Sequence, residues 1–152
     1  KSNFVAVLVS PKLEFLKKIS KIKFDFFQLY NVSPKKTLQI KKRFKKKIIS
    51  AIQINKKIDV NNYKKYLDIA DIILFDSKGY EKSMAFDHTF LKEVPRSINR
   101  MLAGDIKYNQ NLDKLAKITD IIDISGGLET YKNKDISKIN VFLKNINKVR
   151  RK

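Results

Sequence analysis

The sequence predicts an α/β fold, a parallel (βα)8 barrel of which this chain supplies six βα units. Three observations predict it. Short, almost wholly apolar runs alternate with amphipathic stretches through the whole chain, about 25 residues apart. Strict alternation of strand and helix requires a parallel sheet with right-handed crossovers. All four glycines, Gly79, Gly104, Gly126 and Gly127, follow strand-like runs, and glycine serves where backbone turns tightly or lies close to a ligand.

VAVLV at 5–9 is nearly all apolar, as a strand covered on both faces must be. Ser10-Pro11 ends it, and Leu13, Phe15, Leu16 and Ile19 follow at helical spacing. FDFFQLY at 24–30 is the second strand, closed by Asn31. Ser33 before Pro34 is a helix start signal, because proline lacks the N–H that a first helical turn leaves unpaired. KIISAIQI at 47–54 is the third strand, and 62–69 reads as a helix carrying Tyr63, Tyr66, Leu67 and Ile69. DIILFD at 71–76 is the fourth strand and leads into the long loop SKGYEKSMAFD. A short helix over 88–94 stops at Pro95; strand five is 97–103, a helix covers 111–118, and strand six is 120–125. An amphipathic helix over 135–149 closes the chain, with Ile136, Ile139, Phe142, Leu143 and Ile146 on one stripe.

An open doubly wound sheet competes with the barrel. It carries its glycine fingerprint after the first strand, whereas here the glycines cluster after the last strands, where barrels place a phosphate site. The expectation is therefore a TIM barrel, with residues 1–152 forming a single partial domain from which the first two βα units are absent. VAVLV begins within a few residues of Lys1, so the chain reads as a piece of a longer protein.

The chain has 152 residues and a net charge of +19, from 34 Lys and Arg against 15 Asp and Glu. Such charge suits a nucleic acid or an anionic substrate. The lysines lie scattered over candidate helices with no arginine-rich arm, aromatic pair or GXXG loop, so they read as a solvated surface and no specific nucleic-acid partner is expected. There is no cysteine and one histidine, which excludes a disulfide framework and argues against a metal. No apolar run reaches the ~18–20 residues of a membrane span. A cytoplasmic, cofactor-free protein is expected, of unstated oligomeric state.

Alternate residues of a strand share a face. Phe26, Gln28 and Tyr30 form one column; Ile72, Leu74 and Asp76 another; Ile121, Asp123 and Ser125 a third. If these columns face inward, Gln28, Asp76 and Asp123 converge at the barrel mouth. A carboxyl buried there beside another is raised towards the range useful for acid catalysis. The loops Gly104-Asp105 and Ser125-Gly126-Gly127 offer backbone N–H groups to a phosphate, although Asp105 sits awkwardly beside an anion. His88 reads as a capping or packing residue.

At these residues the chain resembles phosphoribosylanthranilate isomerase, a (βα)8 barrel enzyme of tryptophan biosynthesis. FVAVLVSP looks like that family's third strand, and FFQLYN stands where it has Gln-Leu-His-Gly. ILFDSKG…FDH, MLAGDI and DISGGLET…KDISKINVF are similar to Leu-Leu-Asp-Ser…Phe-Asp-Trp, Leu-Ala-Gly-Gly-Leu and Asp-Val-Ser-Ser-Gly-Val-Glu followed by Lys-Asp. The resemblance implies a cofactor-free Amadori rearrangement of the phosphorylated small molecule N-(5'-phosphoribosyl)anthranilate. It implies Asp76 as general acid, Gly104, Asp105, Ser125, Gly126 and Gly127 as the phosphate loops, and Gln28 and Asp123 as polar groups near the substrate. The family's base, a cysteine ending its first strand, and its anthranilate-binding arginine have no counterpart here, so this chain alone is expected to be inactive. Tyr30 replaces the family's histidine, Asp105 a glycine, His88 a tryptophan and Gly126 a serine. A basic nucleic-acid-binding module and a non-catalytic phosphate-binding barrel are the alternatives.

Overall fold

The computed structural model describes residues 2–77 and 85–150; Gly79, Tyr80 and the middle of the SKGYEKSMAFD loop lie outside the described residues. Six strands form one parallel sheet: β1 (Val5–Val9), β2 (Phe26–Tyr30), β3 (Lys47–Ile54), β4 (Ile72–Ser77), β5 (Arg100–Leu102) and β6 (Ile121–Ile122). Each strand pairs with the next in sequence, in the order β1-β2-β3-β4-β5-β6. A doubly wound sheet reverses direction at a switch point. This sheet has no reversal, which is the wall of a barrel.

Helices α1 (Leu13–Ile19) and α2 (Pro34–Phe44) form the first two crossovers. Ser33 caps α2 by accepting the Lys36 N–H, with Pro34 in the first helical position, as its sequence signal predicts. The next three crossovers depart from the expectation. In place of an α-helix over 62–69 there is a 3-10 helix over Lys57–Tyr66; His88–Glu93 is also 3-10; and 111–118 shrinks to a turn at Leu115–Lys117. Asn61-Asn62 sit mid-segment in the first, and such side chains compete for backbone hydrogen bonds and disfavour α-helix. Strand six is only two residues long where six were expected. After it, Gly126–Leu128 forms a 3-10 turn and an unforeseen hairpin follows, β7 (Glu129–Thr130) against β8 (Asn133–Lys134). Helix α3 (Ile136–Arg150) ends the described chain.

The strands bury side chains on both faces. Outward, Phe27, Leu29 and Ile48 pack with Leu16 of α1 and Ile40 of α2, while Ile73, Phe75 and Leu102 pack with Val60, Leu91 and Phe142. Leu16, Phe27 and Phe75 are wholly buried, each worth about 2–3 kcal/mol against exposure. Inward, Tyr30, Ile49, Leu74 and Ala103 form a separate cluster, joined by Phe26, Ala51, Ile72 and Met101. On β1, Ala6 and Leu8 are buried whereas the inward Val5, Val7 and Val9 are 37%, 61% and 50% exposed. Among the described residues β1 and β6 pair on one side each.

At the opposite end from the loops, Arg100 of β5 is 4% exposed and clasps Asp120. Its Nε donates to Oδ2 at 3.0 Å, its terminal nitrogen to Oδ1 at 3.1 Å, and its backbone N–H to Oδ2 at 3.0 Å. The Asp120 N–H returns a bond to the Arg100 carbonyl, which clamps the starts of β5 and β6. Asp120→Ala leaves a buried guanidinium unpaired and is expected to cost about 3 kcal/mol in urea unfolding. The hydrogen bonds from Arg100 hold the Asp120 carboxyl below its ordinary value. That stabilisation is present above the unfolded carboxyl value of about 4 and is lost as pH falls through the folded one.

Candidate active site

The alternation of side chains along β2 and β4 sends Gln28, Tyr30 and Asp76 to the inner face near the strands' C-terminal ends. Register places Gln28 beside Val7 and Ile49, and Asp76 beside Gln53. Ala103 ends β5's inner column, and Gly104 and Asp105 carry the chain over the rim in left-handed conformation, at φ 90° and 48°. Beyond β6, Asp123 is anchored by its N–H to the Leu102 carbonyl at 2.8 Å, and Ser125 opens the 3-10 turn. Gln28, Asp76, Gly104, Asp105, Asp123, Ser125, Gly126 and Gly127, the eight residues singled out by sequence, all line one cavity of about 780 Å³.

A hydrogen-bonded line crosses its floor. The Tyr30 hydroxyl donates to Asp76 Oδ2 at 2.9 Å and accepts from Gln28 Nε2 at 3.3 Å. Gln28 also draws the Asp123 carboxyl down, against its burial. Burial raises the Asp76 carboxyl above its ordinary value, opposed by the bond from Tyr30. Burial likewise raises Asp123, and the charge of Asp76 raises it further. Two neighbouring carboxyls raised by burial, Asp123 further raised by the charge of Asp76, are shifted in the direction that acid catalysis needs.

The two glycine loops are packed against their neighbours. A Cβ on Gly104 would lie 2.5 Å from Ser77 Oγ and 2.9 Å from Ser77 N; one on Gly127 would lie 2.1 Å from the Ile106 carbonyl oxygen. Gly126 faces open space. His88 does not cap its helix, a task taken by Asp87. Its ring packs edge-on against Phe86 and its Nε2 lies 2.9 Å from the Gly104 carbonyl, so it braces the loop after β5. Asp105 pairs with Lys107 at 3.1 Å, which offsets its charge beside an anion.

Sequence reasoning gave Tyr30 no role although parity placed it in the right column. It also passed over Gln53, which the same parity would have found. Lys134, on the hairpin, donates to Ser125 O at 3.1 Å and Oγ at 3.0 Å; no pattern in the sequence signalled that contact. Among the described residues no group of three His, Cys, Asp or Glu side chains could hold a metal, and no helix is long and apolar enough to cross a membrane.

Residues 1–145 match the family N-(5'-phosphoribosyl)anthranilate (PRA) isomerase. N-(5'-phosphoribosyl)anthranilate isomerase of Rhizobium etli is 34% identical over 140 residues, covering 86% of this chain and 63% of that protein. Its counterpart from Petrotoga mobilis is 32% identical over 153 residues, covering 96% and 72%. The chain thus spans 63–72% of the length of these relatives. Phosphoribosyl anthranilate isomerase from Thermotoga maritima superposes with a TM-score of 0.82 at 21% identity, over 96% of this chain and 73% of that one. A second isomerase structure, in complex with reduced 1-(o-carboxyphenylamino)-1-deoxyribulose 5-phosphate, gives 0.79 at 20% identity, over 96% and 72%; at such identities both speak for the barrel fold. Sequential parallel strands, a cavity at their C-terminal ends and the extent of the sequence match lead to one conclusion: the chain belongs to the PRA isomerase family.

Proposed function

We propose that this chain carries the acid half of a phosphoribosylanthranilate isomerase and that its six strands take the place of the last six of the eight-stranded barrel. The reaction opens the ribose ring of N-(5'-phosphoribosyl)anthranilate and moves hydrogen from C2' to C1', turning an aminoaldose into an aminoketose. Asp76 gives its proton to the furanose ring oxygen as the C1'–O bond breaks, and the anilino nitrogen stabilises the resulting iminium. A base then removes the C2' proton to give the enolamine, which tautomerises to the ketone. The resemblance assigns that base to a cysteine, and the 152 residues contain none. The single observation that carries the reading is the Asp76 carboxyl, raised by burial, at the floor of the same cavity as both glycine loops.

The phosphate would lie between the 104–105 and 125–127 loops, within reach of backbone N–H groups and with Lys107 and Lys138 also lining the cavity. Gln28 and Asp123 would face the ribose hydroxyls. No cofactor enters the scheme, and a small polar substrate accords with a cytoplasmic enzyme.

The test is consumption of phosphoribosylanthranilate, followed by fluorescence, with the chain alone and with the first two βα units of the Rhizobium etli relative fused ahead of Phe4. The chain alone is expected to match a buffer blank, and the fusion to turn over. A folded fusion without turnover sinks the proposal and leaves a phosphate-binding barrel.

A further inference from the structure

Tyr30 stands where the resemblance has a histidine, yet it is built into the cavity floor more firmly than a filler residue needs to be. Its side chain is 8% exposed and packs with Ile49, Leu74 and Ala103. Its backbone carbonyl accepts the Ser10 N–H at 3.0 Å. Its hydroxyl is held from both sides, donating to Asp76 Oδ2 and accepting from Gln28. The donated bond points the hydroxyl at the Asp76 carboxylate.

We propose that Tyr30 is the positioning residue for Asp76: the hydrogen bond its hydroxyl donates to Oδ2 orients the carboxyl that delivers the proton, an inference that rests on Asp76 being the general acid. The proton balance is simple. The protonated Asp76 carboxyl passes its proton to the substrate's ring oxygen and becomes a carboxylate. Tyr30 keeps its own proton throughout, and its hydrogen bond to Oδ2 strengthens because the acceptor has become charged. Tyr30 thus favours the product of the transfer over the reactant, which is how a bond accelerates a step rather than merely binding. Burial, and then the neighbouring charge of Asp76, push the phenol well above its usual range, so it does not compete as the acid.

Other charged groups around the cavity are Asp123 beyond β6, Asp105 and Lys107 beyond β5, and Lys138 of α3. Lys134 of the hairpin draws Asp123 down. None of these belongs to β2, so a change at Tyr30 alters the Asp76 environment and leaves them in place.

The experiment compares wild type, Tyr30→Phe and a protein carrying 3,5-difluorotyrosine at position 30. The fusion is assayed for the pH dependence of kcat/KM, and the Asp76 carboxyl is titrated by 13C NMR, assigned with Asp76→Asn. Loss of the hydroxyl is expected to lower kcat ~10- to 100-fold with little change in KM, and to move the alkaline limb and the carboxyl midpoint up by about one pH unit. The fluorinated phenol, a stronger donor of the same shape, is expected to move the midpoint down. Opposite shifts support the proposal, since a packing defect cannot produce both. An unmoved midpoint in the fluorinated protein overturns it, whether or not Tyr30→Phe folds. If the midpoints shift as expected but no protein turns over, the positioning role stands and the isomerase assignment fails.

Discussion

Asp76→Asn is expected to reduce turnover of a competent enzyme by ~10²–10⁴-fold, with KM changed little, because the amide keeps the shape of the side chain and removes its transferable proton. The same substitution is expected to stabilise the fold. Burial raises the Asp76 carboxyl above its ordinary value. A group raised in the folded state contributes its stabilisation below the unfolded value, about 4, and loses it as pH rises through the folded one. Above the unfolded value the raised carboxyl is therefore a cost to folding that asparagine removes. A higher Tm at pH 7, fading towards pH 4, together with lost turnover, is the expected pair of results. A lower Tm at pH 7 would show that Asp76 is held for structure. Activity should also fall as pH rises through the raised value, since the acid acts protonated.

The second large effect concerns adjacent glycines that look alike in sequence. Gly127→Ala places a Cβ 2.1 Å from the Ile106 carbonyl oxygen, and backbone cannot swing aside as a flexible side chain can. The 3-10 turn must part from the loop after β5, at a cost of about 2–3 kcal/mol. Because these two loops are the proposed phosphate cradle, affinity for the reduced product analogue should drop at least ~10-fold by calorimetry. Gly126→Ala projects into open space and should stay within about 0.5 kcal/mol of wild type. Equal effects at both positions would mean that the turn is not seated on Ile106.

What the sequence made legible follows from how strongly each residue is constrained. Near-continuous apolar runs such as 5–9 and 47–54 emerged as strands with the expected bounds. However, β1 is buried on its outer face only, with Val5, Val7 and Val9 of its inner column exposed, because no strand or side-chain layer among the described residues covers that column. Parity within β2 and β4 then placed Gln28 and Asp76 on the inner face, because a period of two leaves one alternative. The later crossovers were misread because an apolar residue every third or fourth position is shared by α- and 3-10 helices at such lengths. Strand six was overread: only Ile121 and Ile122 join the ladder, and the chain past them serves the cavity. Lys134 reaches Ser125 across nine residues through a hairpin of two-residue strands, too short to leave a pattern.

The inner column of β1 has a colloidal consequence. Val5, Val7 and Val9 show solvent an apolar stripe, beside a strand whose outer N–H and C=O groups have no partner strand among the described residues. Unpaired parallel edges are templates for other chains, yet each molecule carries a net charge of +19. That charge keeps copies apart at low ionic strength, and salt shortens its reach from ~30 Å at 0.01 M to ~3 Å at 1 M. This protein is thus expected to invert the common experience of basic proteins freed from polyanions by salt. Light scattering should find single chains in dilute buffer and growing particles as sodium chloride is added, with lysine serving as the gatekeeper of a hydrophobic seam.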